Sequence, residues 1–250
     1  MGASIGFLYP GYSAEDDYPA FQELLGGDVT LRLVHTLMRE DAHRVDALLD
    51  VGGADVLEAG AHTLREQGVD AIVWACTSGS FVFGWEGAKK QADGVGAAAG
   101  VPASSTSFAF VDAVNHLGAG RVAIAATYPD DVAQRFVAFL GEAGLEVTSM
   151  ASRGIVTAAE VGELAPAEAL EFVAMNDHPD AEVVLVPDTA LHSAALLEPL
   201  EERLGKPVLT ANQVSVWQGL RLAGATGPRP GLGTLFSAGV PAALATEPDR

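Results

Sequence analysis

Apolar runs of strand length alternate with amphipathic helical stretches along the whole chain. Such a pattern buries its apolar faces as parallel sheets covered by helices. The runs predict strands over 4–9, 28–35, 70–76, 101–104, 121–127, 146–151, 182–187 and 206–210. Helices are predicted over 16–25, 41–50, 54–67, 82–99, 106–117, 130–143, 166–176, 190–204 and 213–223. The alternation also repeats itself. Gly6-Phe7-Leu8-Tyr9-Pro10 is echoed by Ile124-Ala125-Ala126-Thr127-Tyr128-Pro129, each with an Asp-Asp pair soon after. Ala71–Ala75 before Cys76 aligns with Glu182–Val186 before Pro187, and Gly100-Val101-Pro102 with Gly205-Lys206-Pro207. The three spacings are 119, 111 and 105 residues, so the copies differ by short insertions. Three echoes in one order mark a duplicated unit. The expected architecture is α/β: two lobes related by a pseudo-twofold axis, each a short parallel sheet flanked by helices, with the active site in the cleft between them. The first lobe should take 1–105 plus 213–250, and the second 106–212.

Composition narrows the function. With 14 Lys+Arg against 33 Asp+Glu the net charge is −19, which lacks the basic footprint that nucleic acid or an anionic membrane requires. One cysteine in 250 residues excludes an internal disulfide and leaves too few thiols for a structural zinc site. The histidines show no metal-ligand spacing, and Glu58, Glu66 and Glu160 belong to no motif, so no metal is expected. No apolar stretch approaches the roughly 18 residues of a membrane span. The start lacks a basic n-region and has Gly6 where myristoylation wants Ser or Thr, so the expected compartment is the cytoplasm. The glycines of 224–233 lack a strand-to-helix setting and read as a loop, not a dinucleotide fingerprint.

The chemistry gathers around Cys76. Asp70–Ala75 reads as a buried strand and Thr77-Ser78-Gly79-Ser80 as the turn into a helix. A thiol there faces the crevice at the carboxyl end of an open sheet, where ligands bind. Helix-start N–H groups favour thiolate over thiol and suit a carboxylate or an oxyanion. Tyr9 and Tyr128 end the first strands of their lobes, each able to point a phenol into the cleft or to pack. In the second lobe Pro187-Asp188-Thr189 occupies the turn that would face Cys76. Asp188 and Thr189 serve either the cleft or the cap of a helix starting near Ala190. His192, four residues after Asp188, has the helical spacing to pair with it.

At Trp74–Ser80, Val122–Val132 and Leu200–Gly224 the chain resembles the aspartate/glutamate racemase superfamily, nearest to its branch of arylmalonate decarboxylase and maleate cis-trans isomerase. The resemblance covers nearly the whole chain. It implies a cofactor-independent enzyme that acts on the carbon beside a carboxylate, in a small mono- or dicarboxylic acid. It assigns Cys76 as the catalytic group and an oxyanion hole to Thr77, Ser78, Tyr128 and backbone near Asp188. Thr189, Pro10 and Ser13 complete the substrate-binding set, Ser13 standing near where the maleate enzymes carry an asparagine. Racemases of this group place a cysteine in each lobe, whereas arylmalonate decarboxylase keeps only the second. Here Cys76 fills the first position and Pro187 the second, so two-thiol racemization is excluded. Decarboxylation of a malonate-type acid needs one proton donor, and Cys76 supplies it. The alternatives are maleate-type isomerization with Cys76 as nucleophile, or a non-catalytic carboxylate-binding protein. Asp188 either repels a dianion or serves as the acid of the second face. Homo-oligomerization is left open.

Overall fold

The computed structural model describes residues 2–240, so Met1 and the 241–250 end of the expected first lobe lie outside the described residues. Eight strands form two separate four-stranded sheets. The first holds β1 (Ala3–Pro10), β2 (Val29–Thr36), β3 (Ala71–Trp74) and β4 (Ala103–Ser105) in the order β2-β1-β3-β4. The second holds β5 (Arg121–Ala126), β6 (Glu146–Ser152), β7 (Val183–Val186) and β8 (Val208–Thr210) in the order β6-β5-β7-β8. Every pairing is parallel and the two orders are the same. The duplication in the sequence is therefore a duplication of topology.

The central strands β3 and β7 are buried at every residue, as unbroken apolar runs between two helical layers must be. Both end where the sheet opens, and the turns that follow carry Cys76 and Asp188. Helix Ala211–Leu222 starts with a capping box of Thr210 and Gln213, and is buried from Ala211 to Leu220. It packs on β1, β3, β4 and β8, so a chain segment late in sequence closes the first sheet. Gly219 is needed there: a Cβ would lie 2.3 Å from Ile5 Cγ2. Phe81 meets Tyr128 and Phe136, so one apolar core continues from the first lobe into the second.

Most predicted elements appear within two residues of their expected ends, with two corrections. The helix expected over 190–204 is a turn at 188–191, a short 3-10 segment Ala194–Leu196 and helix Leu197–Leu204. Ser193 N–H and Oγ and the Ala194 N–H are drawn to the Asp17 carboxylate of helix Asp17–Leu25, which also accepts from Asn212. A contact from the other lobe thus overrides local helix propensity. The helix expected over 41–50 begins only at Val45 (Val45–Val51), because the preceding segment crosses to the other lobe. The helix expected over 82–99 is found at Gly84–Ala99, preceded by a separate short helix Ser78–Phe81 from which the turn at Gly84, φ +69°, divides it. Helices Ala158–Gly162 and Thr234–Ser237 have no counterpart in the sequence reading.

Candidate active site

Cys76 sits two residues beyond β3 and is 5% exposed. Its Sγ accepts the Gly79 N–H at 3.3 Å and lies 3.9 Å from Ser78 Oγ. The approach demands glycine, since a Cβ at position 79 would stand 2.9 Å from Sγ. Burial pushes the thiol up to about 12, and the nearby Asp188 charge adds to the shift. The Gly79 and Ser78 contacts oppose it and lose. Cys76 is therefore a neutral thiol at neutral pH. The pull of the helix start toward thiolate is outweighed, because a four-residue helix offsets less than full desolvation costs.

Across from it, the turn after β7 holds Asp188, 4% exposed. One carboxylate oxygen accepts the Thr127 hydroxyl and the other the Ala190 N–H at 2.9 Å. That second bond closes a turn; no helix begins at Ala190, so Asp188 is not the cap that the sequence allowed. His192 does not pair with Asp188 either. It meets Asp16 at 2.7 Å on the surface.

Tyr128 donates its hydroxyl to the Pro187 carbonyl and lies beside Thr77 and Ser78. Burial, then the Asp188 charge, hold its phenol far above the ordinary range, so it remains a neutral hydrogen-bond donor. Thr77 Oγ1 is buried without any partner, an uncommon state for a buried hydroxyl. Tyr9 donates to the Thr189 carbonyl at 3.0 Å and accepts the Ala14 N–H at 3.0 Å. Its 2.8 Å contact with Ser13 therefore uses the serine proton, and Ser13 has none left for a carboxylate.

Of the residues singled out from sequence, Cys76, Ser78, Asp188, Thr189, Pro10 and Ser13 share the wall of one cavity of about 30 Å³ between the lobes. Thr77 and Tyr128 stand behind that wall. The space is small, with room for about two waters. A larger apolar groove of about 250 Å³ runs between helices Ala54–Glu66 and Gly84–Ala99, away from the thiol. Among the described residues no group of acidic, histidine or cysteine side chains could hold a metal ion. Nor is any helix among them long and apolar enough to cross a membrane.

Sequence reasoning missed His43. This residue lies in the segment joining β2 to helix Val45–Val51, and its side chain is 6% exposed in the cavity wall. Its N–H donates to the Val156 carbonyl at 2.7 Å, and Nδ1 donates to the Ile155 carbonyl at 3.0 Å. Nε2 then faces Asp188 Oδ2 at 4.0 Å. Two residues earlier, Asp41 accepts the Ala158 and Ala159 N–H groups at 2.7 and 3.0 Å, capping helix Ala158–Gly162 from the opposite lobe. The strap of 38–44 thus closes the cleft. Its only signal in the sequence was its place at the carboxyl edge of the first sheet.

Two parallel-sheet lobes of one topology, meeting over a buried thiol, define a duplicated α/β enzyme with its site between the lobes. The family profile described as arylmalonate decarboxylase matches residues 46–236. The chain belongs to that family. It is 32% identical over 179 residues to arylmalonate decarboxylase of Bordetella bronchiseptica, covering 70% of this chain and 75% of that protein. It is 30% identical over 137 residues to maleate isomerase of Geobacillus stearothermophilus, covering 54% of this chain and 55% of that one. Among solved structures, a liganded arylmalonate decarboxylase mutant with one glycine changed to cysteine and one cysteine to serine superposes with a TM-score of 0.82. It is 27% identical, and the match covers 94% of this chain and 98% of that one. Membership makes this protein an enzyme of lyase or isomerase type, carrying out decarboxylation or cis-trans isomerization.

Proposed function

We propose that the enzyme decarboxylates a malonate-type acid, with Cys76 delivering the proton to the α-carbon. The observation that carries this reading is a lone thiol, kept neutral by burial, with no second thiol in the chain to serve the other face. Loss of carbon dioxide leaves the bonding pair on the substrate as an enediolate, so no base is required. Donors already in place stabilise that anion. Ser78 and the unpartnered Thr77 hydroxyl are assigned to this hole, joined by the Tyr128 phenol once its proton turns from the Pro187 carbonyl to the substrate, with Thr189, Pro10 and Ser13 shaping the pocket. Cys76 S–H then protonates the carbon from its own face, and the thiolate takes a proton back from water. One donor on one face gives a product of one handedness. Turnover of methylphenylmalonate in heavy water tests this: one deuterium at the α-carbon, one enantiomer, and loss of both in Cys76→Ala. A racemic product contradicts it.

A second reading, maleate-type isomerization, draws on the identity to maleate isomerase. It needs Cys76 as thiolate, and at a value near 12 only about one thiol in 10⁵ is ionised at pH 7. A succinyl adduct on Cys76 after incubation with maleate would establish it. On the same footing we assign 2–105 with 213–240 to one lobe and 106–212 to the other, a division supported by which strands share a sheet.

A further inference from the structure

The turn that carries the thiol is held from behind as well as from the cavity side. Gln91 lies on helix Gly84–Ala99 and lines the apolar groove, not the thiol cavity. Any effect it has on Cys76 must therefore pass through another residue.

Its side chain makes such a connection. Nε2 donates to the Gly79 carbonyl at 2.9 Å and to the Gly52 carbonyl at 2.8 Å. Those two acceptors fix the orientation of the amide, since the opposite one would set its oxygen against two carbonyl oxygens. Oε1 is buried and has no partner among the described residues, so the hydrogen bonding of this amide goes wholly to the two carbonyls. Gly79 is the residue whose N–H meets Cys76 Sγ at 3.3 Å. It is thus held at both ends, by sulfur at its N–H and by Gln91 at its carbonyl. Glycine has the freest backbone of any residue, so a hold on its carbonyl restricts where its N–H points.

The second acceptor ties in the cavity wall. Gly52 follows Val51, which ends helix Val45–Val51 and lines the cavity. The junction is tight: a Cβ at position 52 would stand 2.4 Å from the Gly79 oxygen and 2.5 Å from Gln91 Nε2. One amide therefore joins the end of that helix to the turn bearing the thiol.

We infer that Gln91 is a positioning residue for the reaction, holding the Gly79 backbone so that its N–H meets Cys76 Sγ. The inference rests on Cys76 being the reacting thiol, and deepens that reading by naming a residue outside the cavity that places it.

Gln91→Met keeps the length of the side chain and removes both hydrogen bonds. In an amide NMR spectrum the Gly79 signal, assigned by its absence from Gly79→Ala, reports the contact with sulfur. It should move upfield in Gln91→Met, as an amide proton does on losing its acceptor. kcat for phenylmalonate should fall roughly 10- to 100-fold with KM little changed, as a displacement of up to about 1 Å at the reacting group requires. In the Gly79→Ala background, where the sulfur is already displaced, the same substitution should cost less than about 2-fold, because residues acting through one contact are not additive. Gly52→Ala presses on the junction from its other side and should also move the Gly79 signal, which decides the matter should Gln91→Met fail to fold. An unmoved Gly79 signal, an unchanged kcat, or equal losses in both backgrounds would each overturn the assignment. The amide signal is read without substrate, so it tests the inference even where phenylmalonate is not turned over, a result that would count against the decarboxylase reading instead.

Discussion

Gly79→Ala separates the packing of the thiol from the stability of the fold. Gly79 lies in helix Ser78–Phe81 and is not among the positive-φ glycines, so its backbone accepts alanine. Helix propensity alone would favour the change by about 1 kcal/mol. The new Cβ would stand 2.9 Å from Cys76 Sγ and 3.1 Å from Trp74 Cζ2. Relief to an ordinary contact requires the sulfur or the turn to move by roughly 0.5–1 Å, at an overpacking cost of about 1–3 kcal/mol. The net loss of stability is therefore small, between about 0 and 2 kcal/mol. The catalytic loss is larger, because a misplacement of about 1 Å at a reacting group lowers the rate about 100-fold. The assay pairs thermal melting with carbon dioxide release from phenylmalonate. The expected outcome is a melting point within a few degrees of the unsubstituted protein and kcat down about 100-fold. Full activity in Gly79→Ala would refute the claim that the sulfur must sit where the Gly79 N–H holds it.

Further consequences concern pH and the strap. Because the folded protein holds the Cys76 proton up to about 12 while an unfolded thiol releases it near 9, this group costs stability as pH rises through that window and is neutral below it. The difference in unfolding free energy between the unsubstituted protein and Cys76→Ala should accordingly be flat to about pH 8 and then shift against the unsubstituted protein; thiolate absorbance near 240 nm should stay absent to at least pH 10. Asp41→Ala removes both cross-lobe bonds to the Ala158 and Ala159 N–H groups. Loss of this cap should cost about 1 kcal/mol of stability and raise the rate at which a small alkylating agent reaches Cys76. An unchanged alkylation rate would show that the strap does not close the cleft.

What could be read in the sequence depended on how local the cause was. β3 and β7 were legible because each is an unbroken apolar run, and the paired lobes because Tyr-Pro and Gly-X-Pro recur in step. Helix Ala211–Leu222 was expected from 213, two residues late, because the capping box of Thr210 and Gln213 was not used. Residues 190–196 looked helical by composition, yet their N–H groups answer to Asp17 in the other lobe, a partner more than 170 residues away. His43 was invisible for the same reason, since Ile155, Val156 and Asp188 define its role and all are distant in sequence. The ionisation of Cys76 was not legible for a different reason. A helix start is a local signal, whereas burial of Cys76 is set by the closure of both lobes over it.

The central claim is that one neutral thiol protonates one face of the substrate. The most direct measurement is the handedness and isotope content of the product formed from methylphenylmalonate in heavy water. A single enantiomer with one deuterium at the α-carbon, lost in Cys76→Ala, is the outcome this account predicts. A racemic product, or a Cys76→Ala enzyme that still forms the same enantiomer at the same rate, would contradict it.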